Sequence, residues 1–330
     1  MRNLFLLLIV LSVKTGFCQQ SPILQYSNPI IAQSLPDPTV MRTKDRYFYL
    51  YATEDTRNLP IWKSRNLVDW EFVGTAFTDD THPNFLQKGK LWAPDINYIK
   101  GKYVLYYTLS KSGEFESNGI GVAVSMRPEG PFQDKGRLFT SKEIGVKNSI
   151  DQFYFEEDGK KYLFWGGFNG IYGIELSKNG LKVKKGAKKF KIAGNGIEGT
   201  AVEKRNGYYY FFGSINHCCR GADSKYQIIY GRADNLFGPY LDRDGKSLLE
   251  VHQSLLIAGN DWVAGPGHQS RLITDDNGQD WIIYHGWLKK DIQKGRVVFL
   301  DKLNWVDGWP EIQYSEPSSS SERPIFTTTK

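Results

Sequence analysis

The sequence predicts an all-β protein built as a five-bladed β-propeller. Three observations support this prediction: the composition favours short strands, one hairpin pattern returns five times, and no long stretch has a helical period. The 330 residues include 33 Gly and 14% aromatic residues, a mixture typical of strands joined by tight turns. A chain of this length can bury a substantial core without disulfides, and 40% hydrophobic residues argue against intrinsic disorder.

Each of the five hairpins consists of an extended run, a polar turn and a second strand of bulky aromatic residues. The second strands read YFYLYAT, YVLYYTL, YLFWGGF, YYYFFGS and WIIYHGW, and they begin at Tyr47, Tyr103, Tyr162, Tyr208 and Trp281. These starts lie 56, 59, 46 and 73 residues apart, which suits a repeat of about four strands with variable loops. A β-sandwich also has regularly spaced hairpins, but the long repeat and its constant side-chain order favour a propeller.

The first 18 residues are predicted to be a secretory signal peptide. Arg2 precedes an apolar run from Leu4 to Val13, and a small-x-small site follows that ends at Cys18, the order expected of such a signal. The run is too short to span a bilayer stably. Cleavage between Cys18 and Gln19 would place the mature protein in a periplasm or outside the cell. A surface lipoprotein acylated at Cys18 is the alternative.

The rest of the chain is expected to form the propeller at residues 19–314 and a flexible, Ser- and Thr-rich tail at residues 315–330. The formal net charge is +6, and residues 178–191 alone hold seven Lys. Such a run is usually a solvated loop or edge strand. A nucleic-acid groove would need basic residues spread among stacking aromatics, so no nucleic-acid partner is predicted. No later segment could span a membrane, and a monomer is expected.

Each predicted blade begins with an acidic or imidazole side chain about ten residues before its aromatic strand. These side chains are Asp37, Asp95, Asp151, Glu198 and His268. The innermost strand of each propeller blade lines the central channel, so these side chains should converge on one cavity. Like charges in a desolvated funnel repel and raise some pKa values, a strain that proteins bear most often at functional sites. Several carboxylates among aromatics suit glycoside hydrolysis, in which one acid protonates the leaving oxygen and one carboxylate activates water or attacks the sugar.

Two further residues are candidates for the same cavity, and two adjacent cysteines form a separate feature. Trp92 should lie at the channel mouth, either as a platform for a sugar ring or as a blade-packing residue. Arg296 could reach the cavity from the last blade and pair with an acid. Cys218 and Cys219 are adjacent, and they form either a vicinal disulfide or two buried thiols.

The segments LPDPTV, WAPDI, IDQFYFEEDGKKYLFWGGF, IEGTAV and LDKLNWVDGWP together resemble glycoside hydrolase family 43. The resemblance runs from about Asn28 to Ile312. WAPDI is shared widely in that family. The more specific segment is GSINHCCRGADSKYQIIYGRADNLFGPYLDRDGKSL, in which a Cys-Cys-x-Gly stretch precedes a Gly-Pro-Tyr turn. It is similar to the arabinanase branch.

The resemblance implies an inverting hydrolase that cleaves α-1,5-linked L-arabinofuranosyl bonds in arabinan or arabino-oligosaccharides, with endo action expected. It implies that Asp37 is the general base, Glu198 the general acid and Asp151 the carboxylate that tunes the pKa of the acid. His268 would hold a hydrated cation, calcium in most such enzymes, at the channel centre, and no organic cofactor is expected. Asp95 has no catalytic counterpart and is interpreted as a structural or substrate-contacting acid.

Three alternatives stay open at this stage. An exo-acting α-L-arabinofuranosidase or a β-xylosidase could use the same scaffold, because a fold does not fix a function. A sugar-binding propeller without catalysis is the non-enzymatic alternative, although the presence of all three carboxylates argues against it.

Overall fold

The computed structural model describes residues 24–111, 113–250 and 252–327. The predicted signal peptide therefore lies outside the described residues. Five antiparallel sheets follow one another along the chain, each formed by consecutive strands, and together they make the predicted five-bladed propeller. Among the described residues, no helix is long and apolar enough to cross a membrane.

The strands are numbered in chain order, and the inner strand of each blade is named first. Strand β1 (Gln25–Ser27) precedes the blades. Blade 1 contains β2 (Thr39–Arg42), β3 (Phe48–Tyr51), β4 (Pro60–Ser64) and β5 (Trp70–Thr75). Blade 2 contains β6 (Lys90–Ile99), β7 (Lys102–Ser110), β8 (Gly119–Ser125) and β9 (Gln133–Thr140). A single short helix, α1 (Ser141–Ile144), follows and begins with a capping box at Thr140.

Blade 3 contains β10 (Phe153–Glu157), β11 (Lys160–Trp165), β12 (Ile171–Leu176) and β13 (Phe190–Ala193). Blade 4 contains β14 (Ile197–Arg205), β15 (Tyr208–Ile215), β16 (Gln227–Ala233) and β17 (Ser254–Ile257). Blade 5 contains β18 (Val263–Gly267), β20 (Asp280–Leu288), β21 (Arg296–Val306) and β22 (Trp309–Glu311), with β19 (Ile273–Thr274) paired to β20. Strand β23 (Ser320–Glu322) is the last, and 3₁₀ turns lie at Gly221–Asp223, Leu248–Glu250, Ile292–Lys294 and Gln313–Ser315.

The aromatic second strands are buried on both faces, because each lies between two neighbouring blades. Tyr106 of blade 2 stacks on Tyr154 of blade 3, with ring centroids 5.9 Å apart. Phe155 and Tyr209 make an edge-to-face contact between blades 3 and 4, with ring centroids 6.2 Å apart. This double burial explains why these strands read as continuous apolar runs instead of alternating ones.

The hairpin turns have the backbone that their sequence predicts. In blade 4 only Asn206 and Gly207 separate β14 from β15, and both have positive φ, 50° and 84°. Two positive φ values in a two-residue loop define a type I′ turn, which matches the twist of the flanking strands. The register of this hairpin follows, with Arg205 opposite Tyr208.

The ring is closed by a small sheet that joins the two ends of the described chain. β1 pairs antiparallel with β23. The Asn28 side chain donates to the Leu300 carbonyl at 2.9 Å and accepts from the Leu300 N–H at 3.0 Å, which attaches the first described segment to β21. The strands of blade 5 all come from the C-terminal part of the described chain, and the N-terminal segment is attached to β21.

The prediction of a flexible tail at residues 315–330 is wrong for residues 315–327, because strand pairing, ring packing and hydrogen bonds hold these residues in place. In addition to the pairing of β23, the ring of Phe326 lies 4.7 Å from that of Phe48. The N–H and hydroxyl of Thr327 donate to the Asp276 carboxylate at 2.7 and 2.6 Å. The Ser-rich composition reflects exposed side chains, whereas backbone hydrogen bonds fix the segment.

The lysine-rich run at residues 178–191 forms the outer edge of blade 3 and the loop before it. Lys184 pairs with Glu175 at 2.7 Å, and Lys189 donates to the Ile144 carbonyl at 3.0 Å. The structure therefore agrees with the interpretation of this run as a solvated loop and edge strand.

One residue with left-handed backbone lies within the inner strand of every blade or within two residues of it. Its N–H donates a hydrogen bond to a side chain of the preceding blade, at distances of 2.8–3.2 Å. The five donors, with φ between 42° and 63°, are Asp37, Ala93, Asp151, Gly199 and His268. Their acceptors are, in the same order, His285, Thr53, Thr108, Asp151 and Ser214. This ring of hydrogen bonds brings the five segments to the channel in equivalent positions.

Candidate active site

A cavity of about 510 Å³ opens at the end of the channel where the inner strands begin. It is lined by three carboxylates, an imidazole, a guanidinium and an indole that the sequence singled out. These are Asp37, Asp151, Glu198, His268, Arg296 and Trp92. The structure therefore brings together every predicted site residue except Asp95.

Asp37 is held as an anion by three donors. Arg296 Nη1 and His268 Nδ1 lie 3.1 and 3.2 Å from its Oδ1, and the Thr53 hydroxyl donates to its Oδ2 at 2.6 Å. Burial alone would raise the pKa of Asp37, but the positive charges of Arg296 and His268 outweigh it and hold the pKa well below its usual range. Asp37 is therefore ionised at neutral pH and can accept a proton.

Glu198 has the opposite electrostatic setting. Burial raises its pKa to about 8, and the negative charge of Asp151 adds to this shift, opposed by a hydrogen bond with Tyr226. Burial likewise raises the pKa of Asp151, to about 6, although the charge of His268 lowers it. Asp151 Oδ2 accepts the N–H of Gly199 at 3.0 Å, which fixes this carboxylate beside the backbone that carries Glu198. At pH 7 Glu198 holds a proton and Asp151 has mostly lost its own.

His268 lies between the two aspartates. Its Nδ1 is 3.2 Å from Asp37 Oδ1 and 3.9 Å from Asp151 Oδ2. Burial alone would lower the pKa of His268, but the two carboxylate charges raise it to about 9. The ionised Asp37 and Asp151 thus face two cations, His268 and Arg296, so the repulsion expected among the clustered acids is largely offset.

His285 supports Asp37 from behind and was not among the predicted residues. Its Nδ1 accepts the backbone N–H of Asp37 at 3.0 Å, so the ring proton is on Nε2. The ring is fully buried and stacks on Tyr226 at 5.8 Å. Burial, together with the charge of Arg296, holds the pKa of His285 well below its usual value, which keeps it neutral and able to accept that hydrogen bond.

Asp95 does not line the cavity. The prediction that it contacts the substrate is therefore wrong, and its alternative interpretation as a structural acid agrees with the structure. It is only 2% exposed, and its carboxylate accepts the N–H of Tyr154 at 2.6 Å and pairs with Arg271 at 3.0 Å. The equivalent of Asp37 in blade 2 is Ala93, which has the left-handed backbone and is followed by proline, as Asp37 is. A bulge between Trp92 and Asp95 shifts the register and directs Asp95 into the channel wall.

Two features of the sequence identify Ala93, and not Asp95, as the blade 2 equivalent of Asp37. Ala93 lies ten residues before Tyr103, as Asp37 lies ten before Tyr47, whereas Asp95 lies only eight before. The second signal is that four of the aromatic strands lead into a polar side chain that accepts the hydrogen bond of the next blade. These polar residues are Thr53, Thr108, Ser214 and His285. Tyr226, in the loop before β16, had no such signal.

The structure offers few further ligands for the cation that was predicted at His268. Among residues 24–111, 113–250 and 252–327, no group of three or more His, Cys, Asp or Glu side chains is arranged to hold a metal ion. Calcium prefers oxygen ligands, and Nδ1 of His268 already donates to Asp37. The donor set does not fit an ion held by the protein itself. Calcium on His268 stays a prediction, and no step below depends on it.

Comparison with known proteins identifies a matching family and several relatives. The model of glycosyl hydrolases family 43 matches residues 26–310. An extracellular endo-α-(1→5)-L-arabinanase of Bacillus subtilis is 34% identical over 291 residues, which cover 84% of this chain and 87% of that protein. An extracellular exo-α-(1→5)-L-arabinofuranosidase of Cellvibrio japonicus is 31% identical, covering 86% of this chain and 87% of the relative.

Solved structures are similar over the same length. An α-L-arabinanase of Cellvibrio cellulosa, complexed with arabinohexaose, superposes with a TM-score of 0.77 at 29% identity and covers 85% of this chain and 96% of its own. The native arabinanase of Bacillus subtilis superposes with a TM-score of 0.71 at 32% identity, covering 84% and 97%.

Proposed function

Since the chain belongs to glycosyl hydrolases family 43, and is therefore a glycoside hydrolase, we propose that it cleaves α-1,5-linked L-arabinofuranosyl bonds in arabinan by inversion. The observation that carries this proposal is the opposite ionisation of two carboxyl groups in one cavity. Asp37 has a pKa well below its usual range, and Glu198 has one raised to about 8. Such a pair supplies one base and one acid at the same pH.

The proposed mechanism assigns each side chain one task. Glu198 protonates the oxygen of the departing sugar as the glycosidic bond breaks, and Asp37 takes a proton from the water that attacks the opposite face of the anomeric carbon. Asp151 keeps Glu198 protonated through its negative charge. Arg296, His268 and Thr53 orient the Asp37 carboxylate with three hydrogen bonds.

The basic limb of the pH profile tests the assignment of the acid. Because Glu198 must be protonated, kcat/KM should fall about tenfold per pH unit above its pKa of about 8. Removing the charge of Asp151 by Asp151→Asn should lower the pKa of Glu198 and move this limb down by about one pH unit. The measurement is kcat/KM on linear arabinan from pH 5 to 10.

Glu203→Gln is the matched control for this profile. Burial raises the pKa of Glu203 to about 7, but Glu203 lies outside the cavity and accepts the N–H of Leu272, a bond that glutamine can keep. The limb should stay in place in this variant. A limb that moves with Glu203→Gln and not with Asp151→Asn would contradict the assignment of Glu198.

Endo action is proposed over exo action because the 34% identical relative is named as an endo-arabinanase; the exo-acting relative at 31% identity makes exo cleavage the second candidate. Product sizes over time on debranched arabinan distinguish them. A ladder of oligomers at early times supports endo cleavage, and a single small product from the start supports exo cleavage.

Two other outcomes would contradict the proposed function. Release of sugar from arabinoxylan alone would instead favour a xylan-directed enzyme. Binding of arabinan without any turnover would indicate a sugar-binding propeller.

We further propose that the protein is secreted. The apolar run at residues 4–13 has the order of a signal peptide, and the two relatives described above are named as extracellular. Protein recovered from culture medium or periplasm and starting at Gln19 would support this proposal, whereas a mature protein with its first residues intact would contradict it.

A further inference from the structure

The two cysteines after β15 form a disulfide between neighbouring residues, and both line the cavity that holds the carboxylates. We propose that the Cys218–Cys219 disulfide is a wall of the substrate groove, on which a sugar ring of the bound arabinan packs. This inference rests on the proposed function and deepens it, because it assigns a substrate-binding role to a group that takes no part in the chemistry.

The position of the disulfide follows from the hairpin that carries the general acid. Glu198 on β14 lies opposite Ser214 on β15, and Cys218 follows Ser214 by four residues. The disulfide therefore lies just beyond the strand end that faces Glu198. A sugar placed for protonation by Glu198 has this turn beside it.

The turn is held by residues that do not line the cavity. The indole N–H of Trp287, in blade 5, donates to the Cys218 carbonyl at 2.7 Å. The Ser224 hydroxyl donates to the His217 carbonyl at 2.8 Å. Two backbone carbonyls of the turn are thus engaged by other protein groups, while Cys219 is exposed and Cys218 partly so. The arrangement fixes the turn and leaves the disulfide available to a ligand.

The chemistry of a disulfide suits the apolar face of a sugar. Its two sulfurs are polarisable and provide no strong hydrogen-bond donor, so they favour C–H groups over hydroxyls. The cavity offers Trp92 from blade 2 and Ile150 from blade 3 as further apolar surfaces. Sugar and cofactor sites combine such surfaces with a few polar groups that fix orientation. The disulfide extends this apolar lining to blade 4.

Steady-state kinetics on linear arabino-oligosaccharides test the inference with the double variant Cys218→Ala/Cys219→Ala. Loss of the wall should raise KM by about five- to tenfold while kcat changes by less than about threefold, because binding and not chemistry is affected. An unchanged KM in a folded double variant overturns the inference, even if its melting temperature falls, because a merely structural disulfide would give that result.

A second arm uses the wild-type sequence, so that it does not depend on the folding of a variant. A phosphine reductant opens the disulfide to two thiols and is itself oxidised to the phosphine oxide, which alkylation and mass spectrometry verify. The reduced wild type should show the same rise in KM. The double variant is the matched control, because it has no other cysteine among residues 19–330 and should not respond. An unchanged KM in fully reduced wild type overturns the inference. If the oxidised wild type does not cleave these oligosaccharides at all, the proposed function itself fails.

Discussion

Replacing Glu198 with alanine is expected to lower kcat on linear arabinan by roughly 10²–10⁴-fold, the usual contribution of a positioned general acid. The reason is that a sugar alkoxide leaves poorly without a proton. The structure has prepared this carboxyl to keep its proton, since burial and the charge of Asp151 raise its pKa to about 8. The pKa of Asp151 is raised only to about 6, and that of Asp37 is held well below its usual range.

The leaving group provides the discriminating measurement. On an aryl α-L-arabinofuranoside whose phenolate leaves without protonation, Glu198→Ala should recover to within about tenfold of the wild type. Its melting temperature should not fall, because the change removes a buried group whose ionised form the fold disfavours. An equal loss on both substrates would show that Glu198 acts in some other way than by donating a proton.

Replacing Asp37 with alanine is expected to cost at least as much, about 10²–10⁴-fold in kcat, and to stay equally deficient on the activated aryl substrate. The attacking water still needs a base when the leaving group needs no acid. The contrast between the two variants on the two substrates therefore separates the roles of Asp37 and Glu198 without reference to any relative.

Thr53→Val is the matched control for the Asp37 variant. It removes the hydroxyl that donates to Asp37 Oδ2 and leaves Arg296 and His268 on Oδ1. The same hydroxyl accepts the N–H of Ala93, so a melting curve is measured to verify that the variant is folded. Activity should fall much less than in Asp37→Ala, because two of the three donors remain. Recovery of Asp37→Ala on the aryl substrate would contradict its assignment as the base.

The repeat was readable in the sequence because it is local. Aromatic strands after short polar turns can be recognised without knowledge of distant contacts, so the five blades and their order could be predicted. Asp37, Asp151, Glu198 and His268 could be placed in one cavity for the same reason, since channel-facing positions recur from blade to blade.

The parts that the sequence did not reveal depend on contacts between segments that are distant in the chain. Asp95 was misplaced because the blade 2 equivalent of Asp37 is Ala93, two residues earlier, whose N–H donates to Thr53 of blade 1. The ordered tail depends on β1, almost 300 residues away. His285 supports Asp37 across the junction that closes the ring, a contact that exists only when blade 5 meets blade 1.

The hydrogen bonds between blades have a consequence for how such a scaffold can diversify. At each of the five equivalent positions the backbone N–H, and not the side chain, makes the bond to the preceding blade. At four of these positions the side chain is then free to be an acid, an imidazole, a methyl group or a hydrogen, as Asp37, His268, Ala93 and Gly199 are. Asp151 is the exception, because its carboxylate accepts the N–H of Gly199. At the other four positions, architecture and reactivity are encoded in separate atoms of the same residue, so selection can alter the chemistry of the pore and leave the hydrogen bonds between the blades unchanged.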